Sequence, residues 1–344
     1  MKKILLTILF LLFCVSSYGA DLSVDIEEDG GGDYTTLAAA LQAEEQNLTD
    51  NGGDTITFNI NLGWDAADAT AAIIDEGWTL SETCWLKIIT TGDSRPTNGV
   101  WDTTDAYRLI VNNAFALNTS GAFTPWIKLD GLQIDCTGTW NRNTITSRAF
   151  YDAVMEIDDC ILKKTNTGTG YIIQSFDCDP DIKVTNTIFE GRGADIGMYT
   201  NTYSVITLKH CTISNLATGV YSSHASATIT VENCAVFNNG DDFAITNSTP
   251  TIDYCASDDG DGNNPVDISP GGTEADDWDS AFTDYSNGDF SVKDASSVLY
   301  NAGKDASITV DIIETVRPQA TDYDIGAFEL IAAAPAARRF FVVD

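Results

Sequence analysis

Basic residues are scarce in this chain: 18 Lys and Arg stand against 51 Asp and Glu, for a formal net charge of −33 over 344 residues. A surface of that sign repels nucleic acid and, at low salt, anionic polysaccharide, because a polyanion works against the field at every step of its approach. What it favours is solubility in salty or calcium-rich water. Histidine is nearly absent, with only His210 and His224. No CxxC occurs and no cysteines and histidines stand at zinc-ligand spacing, which excludes the common structural zinc modules. Long apolar runs are missing after residue 15, so no later segment reads as a membrane-spanning helix.

The one apolar run is Ile4–Val15, preceded by Lys2 and Lys3 and followed by the small residues Ser17 and Gly19. That order reads as a secretory signal over residues 1–19, so the mature chain is expected to be secreted or at the cell surface, without a membrane span. The bulky Phe13 before Cys14 argues against lipid attachment there. Seven cysteines follow: Cys84, Cys136, Cys160, Cys178, Cys211, Cys234 and Cys255. In a secreted protein an odd set invites a disulfide reading, but most of these positions belong to a pattern that argues otherwise.

Between residues 145 and 260 one short pattern recurs five times: Ile157–Leu162, Val184–Phe189, Leu208–Ile213, Val231–Val236 and Ile252–Ser257. Aligned on Cys160, Thr187, Cys211, Cys234 and Cys255, the copies are 27, 24, 23 and 21 residues apart. Repeats of this length mark a solenoid, in which each unit buries its apolar side only against its neighbours. Each copy opens on an apolar residue and reaches its Cys or Thr three positions later, usually across Asp, Asn or His. Strict strand alternation would put the two ends of that step on opposite faces. One left-handed residue between them repairs the step, and Asn and Asp tolerate that conformation. A corner is therefore predicted at Asp159, Asn186, His210 and Asn233, with Tyr254 a poorer fit that bends differently. The Cys/Thr column then points inward, where free Cys packs as a small hydrophobe.

A second column repeats with the same period. Phe150, Ile173, Met198, Val220 and Ile245 are spaced by 23, 25, 22 and 25, beside an outward column of Tyr151, Gln174, Tyr199, Tyr221 and Thr246. Two residues before the outward column stand Ala149, Ile172, Gly197, Gly219 and Ala244, which are also read as outward. Three short strands per coil describe an all-β fold, a parallel β-helix. At the start, Thr35 or Asp33 can cap a helix with Leu37, Ala40, Leu41 and Leu48 on one face. Such a helix would cover the open end of the first coil. Thr55–Ile60 reads as the first strand and Ser257–Asn287 as a Gly- and Asp-rich excursion.

With Gly31–Leu41 as an opening helix and these coils as a body, the chain resembles the secreted right-handed parallel β-helix proteins of the pectate-lyase-like superfold. Its ending, in Gly288–Val292, Asn301–Gly303, Arg317, Pro318 and Asp324–Glu329, is similar to the closing segment of bacterial β-helix proteins with variable surface anchors. The resemblance covers nearly all of the mature chain. It implies a right-handed single-stranded parallel β-helix, with a cap over residues 20–50, coils over 51–260, a loop excursion and closing segment over 261–330, and a linker and tail over 331–344. It carries over no catalytic residues. The paired Asp with nearby Gly-His-Gly and Arg-Ile-Lys motifs of the pectin hydrolases is missing, and for the basic residue of the lyases only Arg192 lies in a suitable coil.

Small residues beside aromatics would form a shallow trough, and polar-tipped rings suit sugar faces; in the resembling proteins this sheet holds polysaccharide. Tyr151, Gln174, Tyr199, Tyr221 and Thr246 are therefore candidate glycan-binding residues, with simple strand-to-strand stacking as the alternative. Asp195 and Asp242 occupy the same place in their coils, two rungs or about 9 to 10 Å apart. That is near the upper end for an inverting glycosidase pair, with Asp241 as an adjacent alternative. The acidic surroundings would repel uronates, leaving neutral glycans as substrates. Asp259, Asp261 and Asn263 match the alternating oxygens of a calcium loop, although Asn264 replaces the usual Gly and Pro270 the closing Glu. Calcium is the one cofactor this admits, and a solvated turn is the alternative. The function expected is structural or glycan-binding, with a polysaccharide or cell-surface glycan as partner. A glycoside hydrolase or polysaccharide lyase working in the same trough is the alternative, with no catalytic motif behind it.

Overall fold

One left-handed residue turns each coil. In the computed structural model, which describes residues 21–49, 54–120, 124–148, 152–176, 179–269 and 274–331, Asp159, Asn186, His210, Asn233 and Tyr254 all have φ between 47° and 53°. Tyr254 was expected to bend differently and does not. Its amide donates to Asn263 O at 3.1 Å and its ring lies 5.9 Å from the Lys304 ammonium, so neighbouring chain holds a conformation its own side chain does not favour. The repeat also extends one coil beyond the Cys/Thr column at each end. Gly131 (φ 74°) and Asn264 (φ 49°) take the same corner, and Ile161 N bonds Leu132 O as Ile188 N bonds Cys160 O, both at 2.9 Å.

The corner divides two parallel sheets, and a third closes the coil. Among the described residues the first sheet has nine strands, from Leu22–Ile26 to Thr251–Asp253, the second eight, from Arg108–Asn112 to Val266–Asp267, and the third seven, from Ala72–Ile74 to Phe243–Ile245. Register is continuous from rung to rung. Ile157, Val184, Leu208, Val231 and Ile252 stand directly above one another and are at most 7% exposed. Burying each such side chain contributes roughly 1.5–3 kcal/mol, and the ladder gives every rung the same partner type on both sides. Cys160, Thr187, Cys211, Cys234 and Cys255 are fully buried one step past the corner. They are unpaired, as are the buried Cys84 and Cys136; Cys178 lies outside the described residues, as do residues 1–20 and 332–344. No helix among the described residues is long and apolar enough to cross a membrane.

The amino-terminal end differs from expectation in two details. A strand at Leu22–Ile26 precedes the helix and pairs with Ile56–Ile60, so the sheet begins before residue 51. The helix, Leu37–Ala43, is capped by Thr36, whose hydroxyl accepts from Ala39 N at 3.2 Å. Asp33 instead accepts from Asp25 N at 3.0 Å. Leu37, Ala40, Leu41 and Leu48 are all buried, Leu48 beyond the helix and held by Thr79 O. The 257–287 stretch is also more ordered than a loop. It contains an abbreviated coil through Asn264, a helix at Glu274–Ala281 and an antiparallel pair of Phe282–Asp284 with Asp289–Val292.

The closing segment lies lengthwise over the second sheet. Ile161, Ile188, Ala235 and Ala256 on that sheet's outer face are buried against Phe282, Phe290, Leu299, Ile325, Ala327 and Phe328. Its path follows the corner column. Lys304 lies at Asn233, Ala306 accepts from Lys209 Nζ at 3.1 Å, and Val310 accepts from Asn186 Nδ2 at 3.1 Å. Beneath it Arg317 pairs with Glu329 at 3.1 Å, both almost fully buried. The second sheet is thus covered on both faces, and among the described residues the apolar contacts of this segment fall on that sheet.

Candidate functional site

Along the third sheet, Gln174, Tyr199 and Tyr221 stand in register, as predicted, above the buried Ile173, Met198 and Val220. At both ends the expected columns slip. The strand next to Ile173 is Ile145–Ser147, so Thr146 rather than Tyr151 faces Gln174; Tyr151 itself lies outside the described residues. At the other end Ala244 rather than Thr246 faces Tyr221, and Phe243 rather than Ile245 faces Val220. The slip at this second end is two residues, which leaves the inward–outward alternation intact, so the pattern alone cannot detect it; at the first end it is five residues.

Alternation itself fails at the residue before the apolar column. Ile172, expected to face outward, is fully buried in the core. Gly197 and Gly219 also face inward. A Cβ at Gly197 would sit 2.5 Å from Gly219 O, and one at Gly219 would sit 2.6 Å from Val236 Cγ1. These glycines serve a close approach of sheets rather than the floor of a trough. The outward set is instead Tyr171, Gln174, Tyr199 and Tyr221. Tyr171 stacks on Tyr199 at 4.2 Å, and Tyr199 on Tyr221 at 5.2 Å with rings 3° from parallel. The central ring is therefore covered on both faces. Partial burial beside Tyr171 and Tyr221 pushes its phenol up to about 12.

At the Tyr171 end the row opens into a groove of about 320 Å³, lined by Phe115, Asn141, Asn143, Tyr171, Gln174 and Ile196 among others. Asn143, only 4% exposed, is fixed on three sides. Its Nδ2 donates to Gln174 Oε1 at 2.5 Å and Thr146 Oγ1 at 3.0 Å, and its Oδ1 accepts from Tyr171 N at 3.1 Å. The Gln174 amide is thereby oriented with its oxygen used and its nitrogen without a partner among the described residues. Sequence reasoning missed Phe115, Asn143 and Tyr171. Tyr171 opens the strand that carries Gln174, and strict alternation turned it inward.

Asp195 and Asp242 do not face this groove. Asp195 is 1% exposed and accepts from the fully buried Lys164 Nζ at 2.5 Å and from Gly170 N at 3.2 Å, while its Oδ2 has no partner. Burial raises its pKa, with Lys164 opposing the rise. Lys164 also donates to Asn166 Oδ1 and Gly168 O, so the pair anchors the 166–170 turn behind the groove. Breaking such a pair by removing one partner costs about 3–5 kcal/mol, which makes it a structural post. Asp242, fully buried, accepts from Asn239 Nδ2, Ser257 Oγ and Asp258 N. Burial and the adjacent Asp258 push its carboxyl up to about 8. Strand alternation placed both on the outer face; the turns that carry them fold their carboxylates inward onto buried donors. Arg192 donates to Thr165 O at 2.9 Å.

The acidic turn separates the proposed calcium ligands. Asp259 and Asp261 come together with Asp241, with carboxylate oxygens within 4.8 Å of one another. Asn263 instead bridges Asp253 on the first sheet, because Asn264 must take the next corner. The run forms a shortened coil that keeps Asp259 and Asp261 beside Asp241 and sends Asn263 to the corner.

Residues 130–272 match the family model described as "Right handed beta helix region". No curated protein matches the chain. Among solved structures it is similar to the crystal structure of pectate lyase Pel9A, at 11% identity and a TM-score of 0.31, covering 91% of this chain and 98% of that one. So distant a likeness carries no argument about chemistry. The stacked parallel sheets and the matched region together make the fold of this chain a right-handed parallel β-helix.

Proposed function

We propose that this chain is an extracellular glycan-binding protein that holds a polysaccharide on the outer face of its third sheet. The groove beside Tyr171 carries the reading. Phe115 and Tyr171 supply aromatic surface, Asn141 and Gln174 supply amides, and the buried Asn143 holds the Gln174 amide in place. A sugar ring offers apolar CH faces and a rim of hydroxyls, and this combination suits both. The tyrosine row contributes less than a platform would, since Tyr199 gives its faces to its neighbours and offers only its edge. The extracellular setting rests on the signal-like residues 1–19. Asp195 and Asp242 are bound to buried donors and away from the groove, so the reading assigns no bond-breaking step to them.

Retention of the purified protein on a panel of polysaccharides, scored with chain shortening, tests this. Gln174→Ala and Tyr171→Ala should each weaken retention by about tenfold, the worth of an amide contact or a ring contact of roughly 1.4 kcal/mol, measured well below the melt, since Gln174→Ala also unpairs a donor of the buried Asn143. Retention that is indifferent to both substitutions overturns the reading.

A further inference from the structure

We infer that Lys164 and Asp195 condense to an amide, so that a covalent bond between side chains joins the turns of two successive coils. This bond lies outside the glycan reading and does not depend on it. The Lys164 and Asp195 side chains are 0% and 1% exposed, with Nζ 2.5 Å from Oδ1. Every other lysine–carboxylate pair among the described residues has a lysine side chain 17–45% exposed, where water competes for the reacting groups. Arg317 and Glu329 are as deeply buried, but a guanidinium keeps its proton and is no nucleophile.

The contacts around the pair give each atom a role. A neutral amine has two N–H groups and one lone pair. Asn166 Oδ1 accepts from Nζ at 2.5 Å and Gly168 O at 2.6 Å. These acceptors take both N–H groups and leave the lone pair toward the Asp195 carboxyl. Gly170 N donates to Oδ1 at 3.2 Å, where negative charge develops as the carbon becomes tetrahedral. Oδ2 is buried and has no hydrogen-bond partner among the described residues. An ionised oxygen left so is costly, whereas a hydroxyl there is a leaving group. Burial raises the Asp195 carboxyl, in the direction of the protonated acid that condensation needs.

The step balances without a co-reactant. The proton of the ion pair passes from Nζ to Oδ2, and the Nζ lone pair attacks Cγ to form the C–N bond. A second amine proton moves to the Oδ2 hydroxyl, the Cγ–Oδ2 bond breaks, and one water leaves. Oδ1 remains as the amide carbonyl on Gly170 N, and the amide keeps one N–H for Asn166 or Gly168. Such condensation is unfavourable between solutes in water. A pair held in place reacts at an effective concentration on the order of 10⁵–10⁸ M, and burial excludes the water that would reverse it. Lys164 and Asp195 are 31 residues apart, so the bond closes a loop that unfolding would otherwise open. It does so in a chain whose described cysteines are all unpaired.

Peptide mapping of the folded wild-type protein, denatured only for digestion, reads the bond directly. Trypsin does not cut after an acylated lysine. The expected result is therefore peptide 164–183 joined to peptide 193–209, one water lighter than the two together. Fragmentation should place the link at Lys164 and Asp195. Lys164→Arg, which keeps the charge but cannot condense, and Asp195→Ala should each lose the joined peptide. The wild-type map decides even where these variants fail to fold. Recovery of the two wild-type peptides apart and at full mass, with cleavage after Lys164, overturns the inference. A joined peptide that survives Asp195→Ala overturns it as well. Retention on polysaccharides decides the glycan reading separately, whichever map is found.

Discussion

The side-chain amide of Asn233 bonds both main-chain groups of Lys304: its Nδ2 donates to Lys304 O at 2.6 Å and its Oδ1 accepts from Lys304 N at 3.0 Å. Asn233 is also a left-handed corner, at φ 53°. One residue thus turns the coil and docks the closing segment, and Asn186 does the same through Val310 O at 3.1 Å. Lys304 is fixed further by Glu232 and Asp253, each at 2.7 Å.

Two substitutions separate those roles. Asn233→Gly keeps the corner but removes the amide, and urea unfolding should show a loss of about 1–3 kcal/mol from the unmet Lys304 groups. Asn233→Ala removes the amide and also strains the corner, adding roughly 1 kcal/mol. A neutral Asn233→Gly would mean that the closing segment is held by its apolar face alone.

Asp242 makes stability depend on pH. Its carboxyl is pushed from 3.8 up to about 8 in the folded protein by burial and by Asp258. Between those values the folded state binds more protons than the unfolded chain, so stability falls as pH rises. Asp159, also pushed up to about 8 by burial and by Asp158, adds a slope of the same sign. Urea melts from pH 5 to 8 should therefore show declining stability, and Asp242→Asn, neutral at every pH, should reduce the decline without abolishing it. Buried His210, held below its ordinary range, contributes a rise of the opposite sign below about pH 6.5, so the mutant comparison decides: a profile that Asp242→Asn leaves unchanged contradicts the burial of that carboxyl.

Thiol chemistry tests the corner register. Cys160, Cys211, Cys234 and Cys255 are fully buried and unpaired, and burial raises the thiols of Cys160 and Cys234 above their ordinary range. Labelling of native protein should leave all four unreacted, and full labelling should follow denaturation. A disulfide between any two would place the column differently.

The body of the fold was legible because a corner with positive φ selects few residue types. Asp159, Asn186 and Asn233 mark it directly, and the inward step to Cys or Thr follows from geometry. Gly131 fits the same corner but stands before Leu132 rather than Cys, so Trp126–Ile134 reads as the start of the regular body without joining the Cys/Thr column. The site was less legible. Tyr199 and Tyr221 were placed correctly, but Ile172, Gly197 and Gly219 turn inward where alternation breaks, and that break depends on the approach of Val236 and Ile213 from another sheet. Burial of Asp195 was hidden for a similar reason. Its partner Lys164 lies 31 residues away in the chain, and nothing local marks a lysine as buried. The path of the closing segment over Ile161, Ile188 and Ala235 likewise rests on contacts between distant parts of the chain.

The central claim is that a glycan occupies the groove beside Tyr171, and its most direct measurement is a crystal structure of the protein with a retained oligosaccharide. The account predicts sugar density between Phe115 and Tyr171, with a hydroxyl within hydrogen-bond distance of Gln174 Nε2. A larger groove of about 790 Å³, lined by Trp126, Asp152, Asp179 and Asp181, lies on the first sheet. Density there, with the Tyr171 groove filled only by water, would contradict the account.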